Sequence, residues 1–324
     1  MQHAISTVVY LASGRDHTLR VFALLDGGQL ELVQRLPVGE TMTPLAVTPD
    51  RRFLYVGLRG EPPGVATFAI APTTGKLQQV GRVALPDPPM YLATDARGTS
   101  LLAASYAGAS YTVMRIAGDG SVLATPVQHE TSIPRAHAIV TDPTNRFLYV
   151  TALGSDSVVA RHFNARTARS TPNTVLALPA GCGPRHAVFH PNGRMLYLNG
   201  ELDGRVYALA LDAASGHLRV IDSQSMLAQR VRGAAWAAEI ALTPDGRYLF
   251  ASERHSNTLA RFALTPDGGF AQREIIATEQ QPRTFAIDPR GRFVLVAGEL
   301  SNHLSIYALD AASGALRPKH RYPA

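Results

Sequence analysis

The chain has 324 residues, of which 46% are hydrophobic and 17% charged, and a formal net charge of +6. No stretch approaches 18 consecutive apolar residues, and Met1-Gln2-His3-Ala4-Ile5-Ser6 carries neither a basic n-region nor an apolar h-region, so the expectation is a soluble cytoplasmic protein without a membrane partner. Arginines scattered without a basic block favour a small anionic ligand over a nucleic acid, and Cys182, the single cysteine, excludes an internal disulfide.

In chain order, the apolar runs Val9-Tyr10-Leu11-Ala12 and Leu19-Arg20-Val21-Phe22 read as strands, followed by a turn at Asp26-Gly27-Gly28. Two apolar strands then flank Pro49-Asp50-Arg51, and the same unit returns about every 47 residues. Its later turns are Asp95-Ala96-Arg97-Gly98, Asp142-Pro143-Thr144-Asn145, Pro191-Asn192-Gly193, Pro244-Asp245-Gly246 and Asp288-Pro289-Arg290-Gly291. Proline presets φ, Asp or Asn caps its own backbone and glycine accepts positive φ, which is why these residues recur at the turn. A second half follows each turn, with a strand such as Leu304-Ser305-Ile306-Tyr307 and a turn such as Ala312-Ser313-Gly314. Counting the N-terminal copy, there are six first halves and seven second halves. A unit of about 40–50 residues and four short strands is a propeller blade, which must stack on neighbours to bury its faces. The expectation is therefore all-β: one domain over residues 1–324, a seven-bladed β-propeller. The single tryptophan, Trp236, is followed by alanine, so the Trp-Asp signature of a common protein-docking propeller is absent.

The repeat selects a ring of equivalent positions. Six residues before the turn proline, or its equivalent, stand Thr43, Met90, His137, Arg185, Ala238 and Arg283, where the first strand of each blade begins. Ten residues after it stand Arg59, Tyr106, Leu153, Glu201, Arg254 and Glu299, where the second strand ends. Both sets fall at one mouth. Polar residues there interrupt apolar sequence, as in Leu198-Asn199-Gly200-Glu201 and Ser252-Glu253-Arg254-His255, and converging ionisable groups suit binding and acid–base chemistry. The same register also pairs Arg185 with Glu201 and Arg283 with Glu299 as simple ion pairs. Strand alternation turns His186 away from Arg185, toward a neighbouring blade or a supporting role. His190 and Asn192 belong to the opposite end, and His217, His303 and His320 to outer loops. Cys182 reads as a small residue of a Gly-Cys-Gly-Pro loop.

Gly183-Pro184-Arg185-His186, Asn199-Gly200-Glu201-Leu202, Trp236-Ala237-Ala238-Glu239 and Gln281-Pro282-Arg283 together resemble the seven-bladed lactonase propeller family, and the resemblance covers essentially the whole chain. That family also includes carboxy-muconate cyclases. The resemblance implies hydrolysis of a lactone such as 6-phosphoglucono-1,5-lactone. It also implies a functional His, Arg, Glu and Arg that fall on His137, Arg185, Glu201 and Arg254. The family's last strand, with a Gly-Pro and a Trp-Val pair, has no counterpart where this sequence reads Arg321-Tyr322-Pro323-Ala324. The resemblance thus leaves the closing strand of the terminal blade missing, or supplied by Gln2 to Thr7.

Opening a δ-lactone needs an activated water, stabilisation of an oxyanion and a grip on the substrate's anion. Glu201 and His137 are the expected proton-transfer pair. Arg185 and Arg254, with Arg283, His186, Tyr106 and Arg59 as further lining, are expected to bind substrate, because guanidinium forks suit phosphate and carboxylate alike. A muconate cyclase and a non-enzymatic binding propeller remain alternatives. No metal and no cofactor are expected, since His129-Glu130 lacks a second histidine and neither a Gly-x-Ser-x-Gly elbow nor a Walker loop occurs. The expected partner is a small anionic lactone, with the chain a monomer or weak homo-oligomer.

Overall fold

The computed structural model describes residues 7–228 and 234–323. They form one three-stranded antiparallel sheet, residues 7–37, and six four-stranded ones, at 42–84, 91–130, 136–177, 184–225, 237–277 and 282–323. Within each sheet the strands pair in chain order. Six full sheets and one without its first strand are the six first halves and seven second halves of the sequence. Of the stretch proposed as a substitute strand, Gln2 to Ser6 lie outside the described residues, and Thr7 opens the strand Thr7–Ser13, which pairs with Thr18–Leu24. The chain divides into two compact units, residues 1–175 and 176–324.

The turns hold themselves. Thr48 Oγ1 donates to Asp50 Oδ1 at 2.6 Å and accepts the Phe53 N–H at 3.1 Å; Thr243, Asp245 and Tyr248 repeat this at 2.6 and 3.1 Å. Where the repeat has Asp instead, a carboxylate oxygen accepts that N–H directly, from Ser100 to Asp95 at 2.7 Å, Phe147 to Asp142 at 2.6 Å and Phe293 to Asp288 at 2.7 Å. In the fifth sheet His190 takes the place, its Nδ1 accepting the Asn192 N–H at 3.1 Å. The threonine and aspartate devices satisfy N–H groups that burial would otherwise leave unpaired.

The tyrosines of the repeat stitch sheet to sheet within each unit. In the N-terminal unit the Tyr55 hydroxyl donates to the Gly120 carbonyl at 2.9 Å, and in the C-terminal unit that of Tyr197 donates to Gly268 at 2.8 Å. Apolar side chains fill the space between: Tyr197, Val206, Ile240, Leu249 and Phe262 form one buried cluster of the C-terminal unit, and Tyr248, Phe285, Val294 and Tyr307 another. Truncating such a buried aromatic to alanine costs about 3–5 kcal/mol. Two histidines expected in loops lie in strands, His303 at the start of His303–Leu309 and His320 within Leu316–Pro323. Both are half-buried, His303 at the end of a largely buried inner strand and His320 in the outermost strand of the sheet, whose residues are mostly exposed.

Candidate active site in the C-terminal unit

The head end of each sheet, where the first strand begins and the second ends, carries the residues selected by the repeat. Arg185 is the second residue of Pro184–Phe189, and Glu201 follows Met195–Gly200. Arg254 follows Tyr248–Glu253, while Arg283 and Glu299 hold the same places in the last sheet. The N–H groups of Glu201, Arg254 and Glu299 donate to the carbonyls of Gly183, Trp236 and Gln281 at 2.8, 3.1 and 2.9 Å, one register repeated three times. Glycine precedes Glu201 because a Cβ at Gly200 would collide with Asp203 and come within 2.7 Å of the Cys182 carbonyl.

The first strands are bulged here, with register shifts between Pro184 and Ala187 and between Ala237 and Ile240. A side chain of the second strand completes the ladder in each: Asn199 Oδ1 accepts the His186 N–H at 2.9 Å, and Ser252 Oγ accepts the Glu239 N–H at 3.0 Å. Thr151 serves Ala138 in the same way at 2.9 Å in the N-terminal unit. A bulge breaks strict alternation. His186 is consequently set against Glu239 of the next sheet while its neighbour Arg185 reaches Glu201, so two consecutive side chains both enter polar contacts.

Two polar groups result. Arg185 Nε and Arg254 Nη2 lie 2.7 and 3.3 Å from the same oxygen, Oε2 of Glu201, with side chains only 4%, 3% and 15% exposed respectively. Arg185 Nη1 also donates to the Ala238 carbonyl, which Asn199 Nδ2 reaches at 3.0 Å. Arg254 Nε donates to Trp236 O at 3.1 Å and its Nη2 to Ala237 O at 3.0 Å, while its guanidinium lies 3.8 Å from the centre of the Trp236 ring. Burial pulls the Arg254 guanidinium down to about 10, with repulsion from Arg185 adding to it and Glu201 opposing it. Burial likewise lowers Arg185, against the pull of Glu201 and Glu239.

In the second group, His186 Nδ1 sits 2.7 Å from Glu239 Oε1. The Ile240 N–H donates to the same oxygen at 3.1 Å and the Thr284 hydroxyl to Oε2 at 3.3 Å. Burial pushes the Glu239 carboxyl up, but His186 and Arg185 outweigh it and hold it below the usual range. Burial, then Arg185, pulls the His186 imidazole below its ordinary value despite Glu239.

Arg283 and Glu299 form a looser pair at 3.4 Å with exposed side chains. In the N-terminal unit His137 is buried, with the half-buried Tyr106 ring edge-on at 6.1 Å and the exposed Arg135 over that ring at 5.6 Å. Arg59 is exposed and reaches Met90 Sδ at 3.3 Å. Cys182 is buried. Among the described residues no three His, Cys, Asp or Glu side chains gather as a metal-binding group. A cavity of about 110 Å³ lined by Thr243, Asp245, Tyr248 and Asp310 opens at the turn end, away from these charges.

Sequence counting missed Glu239, Asn199, Ser252 and Trp236. Counting reached Ala238 but stopped one residue short of Glu239, which only the bulge brings into the cluster. The signal for Asn199 and Ser252 was present: each is a polar residue inside an otherwise apolar strand, two positions before the selected one.

Small four-stranded sheets repeated along an all-β chain, with a charged head end, define a β-propeller, here of seven blades. The chain belongs to the lactonase family of seven-bladed β-propellers, which it matches over residues 6–324. A 6-phosphogluconolactonase of Serratia proteamaculans (strain 568) is 37% identical over 322 residues, 98% of this chain and 95% of that relative. One of Sodalis glossinidius (strain morsitans) is 36% identical over 97% of this chain and 95% of its own. Among solved structures, the periplasmic gluconolactonase PpgL of Pseudomonas aeruginosa superposes with a TM-score of 0.88 at 28% identity, covering 98% of this chain and 95% of that one.

Proposed function

We propose that this protein hydrolyses 6-phosphogluconolactone to 6-phosphogluconate. The observation that carries the reading is the convergence of two buried arginines, Arg185 and Arg254, on one oxygen of Glu201 at the head end. Buried guanidiniums with restricted motion are pre-organised to bind phosphate or a developing oxyanion, and such preorganisation is the larger part of what lactone opening needs. Full-length relatives that carry the 6-phosphogluconolactonase name support the choice of lactone.

Residue type gave Glu201 the role of base. The two arginines beside its Oε2 suit it better to aligning the guanidiniums than to taking a proton from water, and that is the role proposed for it. His137 is proposed as proton donor to the departing ring oxygen, on its residue type and register position; a His137→Asn variant with unchanged kcat would remove it. Arg59, Tyr106 and Arg283 are proposed as weaker, outer substrate contacts.

The test is a comparison of substrates. Arg254→Ala is expected to raise KM for the phosphorylated lactone about 10- to 100-fold, the loss of one or two charge-assisted hydrogen bonds, and to leave KM for plain gluconolactone nearly unchanged. An equal rise on both substrates would remove the phosphate role.

A further inference from the structure

We propose that His186, oriented by Glu239, is the base that activates the hydrolytic water. The inference rests on the lactonase reading and adds to it a residue pair that counting along the repeat did not select.

The argument begins from hydrogen bonding. An imidazole whose Nδ1 faces a carboxylate at 2.7 Å donates its proton there, which fixes the tautomer and leaves the basic lone pair on Nε2. Glu239 is itself held, by the Ile240 N–H at 3.1 Å and the Thr284 hydroxyl at 3.3 Å, and its backbone N–H is tied to Ser252 at 3.0 Å. Base and orienting carboxylate thus come from adjacent blades, each fixed by a bulge and a side chain that completes it. A nucleophile-activating base backed by a third group is the arrangement that positioned proton transfer requires.

Location agrees. His186 is the residue after Arg185, so the base stands beside the guanidinium proposed to meet the substrate's charge. Among the described residues, Arg185 and Glu201 of its own sheet and Glu239 of the next act on His186, while Arg283 of the last sheet acts on Arg185. Their balance with burial lowers the imidazole's pKa, which favours the neutral form a base needs.

In the step, the water oxygen bonds to the lactone carbonyl carbon as one water proton passes to Nε2. The carbon's bond to the ring oxygen then breaks, and that oxygen takes a proton from solvent. The imidazolium returns its proton to bulk water.

The experiment measures kcat, KM and pH profiles on 6-phosphoglucono-1,5-lactone for the wild type, His186→Asn, His186→Ala and Glu239→Gln, with product affinity and melting temperature recorded for each. His186→Asn is expected to lower kcat about 10²- to 10⁴-fold with product affinity within about threefold of wild type, and added imidazole is expected to restore part of the activity of His186→Ala. Because His186 acts as the neutral form and its pKa lies below the ordinary 6.5 or so, activity should fall only as pH drops below that value. Glu239 raises that pKa, so Glu239→Gln should move the acid limb to still lower pH and reduce kcat, a shift a merely structural role would not cause. A folded His186→Asn enzyme with near-normal kcat and an unmoved acid limb would overturn the dyad while leaving the lactonase reading intact. A wild type that accelerates no lactone would overturn both.

Discussion

The two ends of the blades in the C-terminal unit are built from the same repeat and differ in what their polar groups hold together. At the turn end the bonds that recur with the repeat are local, Thr243 meeting Asp245 two residues away and Tyr248 five residues away, and the bonds that cross between sheets there, from His190 to the Gly246 carbonyl and from the Tyr248 hydroxyl to the Ala312 carbonyl, involve no ion pair. At the head end they cross between sheets, from His186 to Glu239, from Asn199 to Ala238 and from Arg185 to Ala238. Local bonds serve the fold wherever the sequence recurs. Cross-sheet bonds tie together residues that differ from blade to blade, and there the chain has gathered charge.

That contrast can be broken by mutation, and the effects should fall in order. Arg185→Ala should be the most damaging, because it removes the proposed anion grip and strands Glu201, a carboxylate with a 15% exposed side chain, beside a single remaining arginine. Removing one partner of such a buried pair costs about 3–5 kcal/mol, so both turnover and the unfolding midpoint in denaturant should drop together. Asn199→Ala comes next: it orphans the His186 N–H and weakens the tie to Ala238, for about 1–3 kcal/mol, and through His186 it should lower kcat as well. Thr243→Ala, its turn-end counterpart, should cost about 0.5–1.5 kcal/mol and leave kcat and KM where they were. Equal kinetic effects from Asn199→Ala and Thr243→Ala would erase the distinction between the two ends.

The same contrast explains what could be read from the sequence. Turns were legible because Pro49-Asp50 and Pro244-Asp245-Gly246 encode their conformation within a few residues, and the spacing of those turns gave the number of sheets found among the described residues. Register carried the reading further, to Arg185, Glu201, Arg254, Arg283 and Glu299 at equivalent places on their sheets. It failed one residue later, at Glu239, since a bulge at Ala237–Ile240 is a property of how Ser252 fills the ladder rather than of the strand's own alternation. Nor could counting tell a largely buried pair, Arg185 at 4% and Glu201 at 15% exposure, from the open pair of Arg283 and Glu299, because burial is decided by the neighbouring sheet.

The most direct test of the account is the ratio of kcat/KM for freshly generated 6-phosphoglucono-1,5-lactone to that for plain gluconolactone, followed in buffer containing EDTA with wild type and Arg254→Ala side by side. The account predicts a wild-type preference for the phosphorylated lactone of roughly 10- to 100-fold that Arg254→Ala abolishes. Equal acceleration of both lactones by the wild type, or a preference that survives the loss of Arg254, would contradict it.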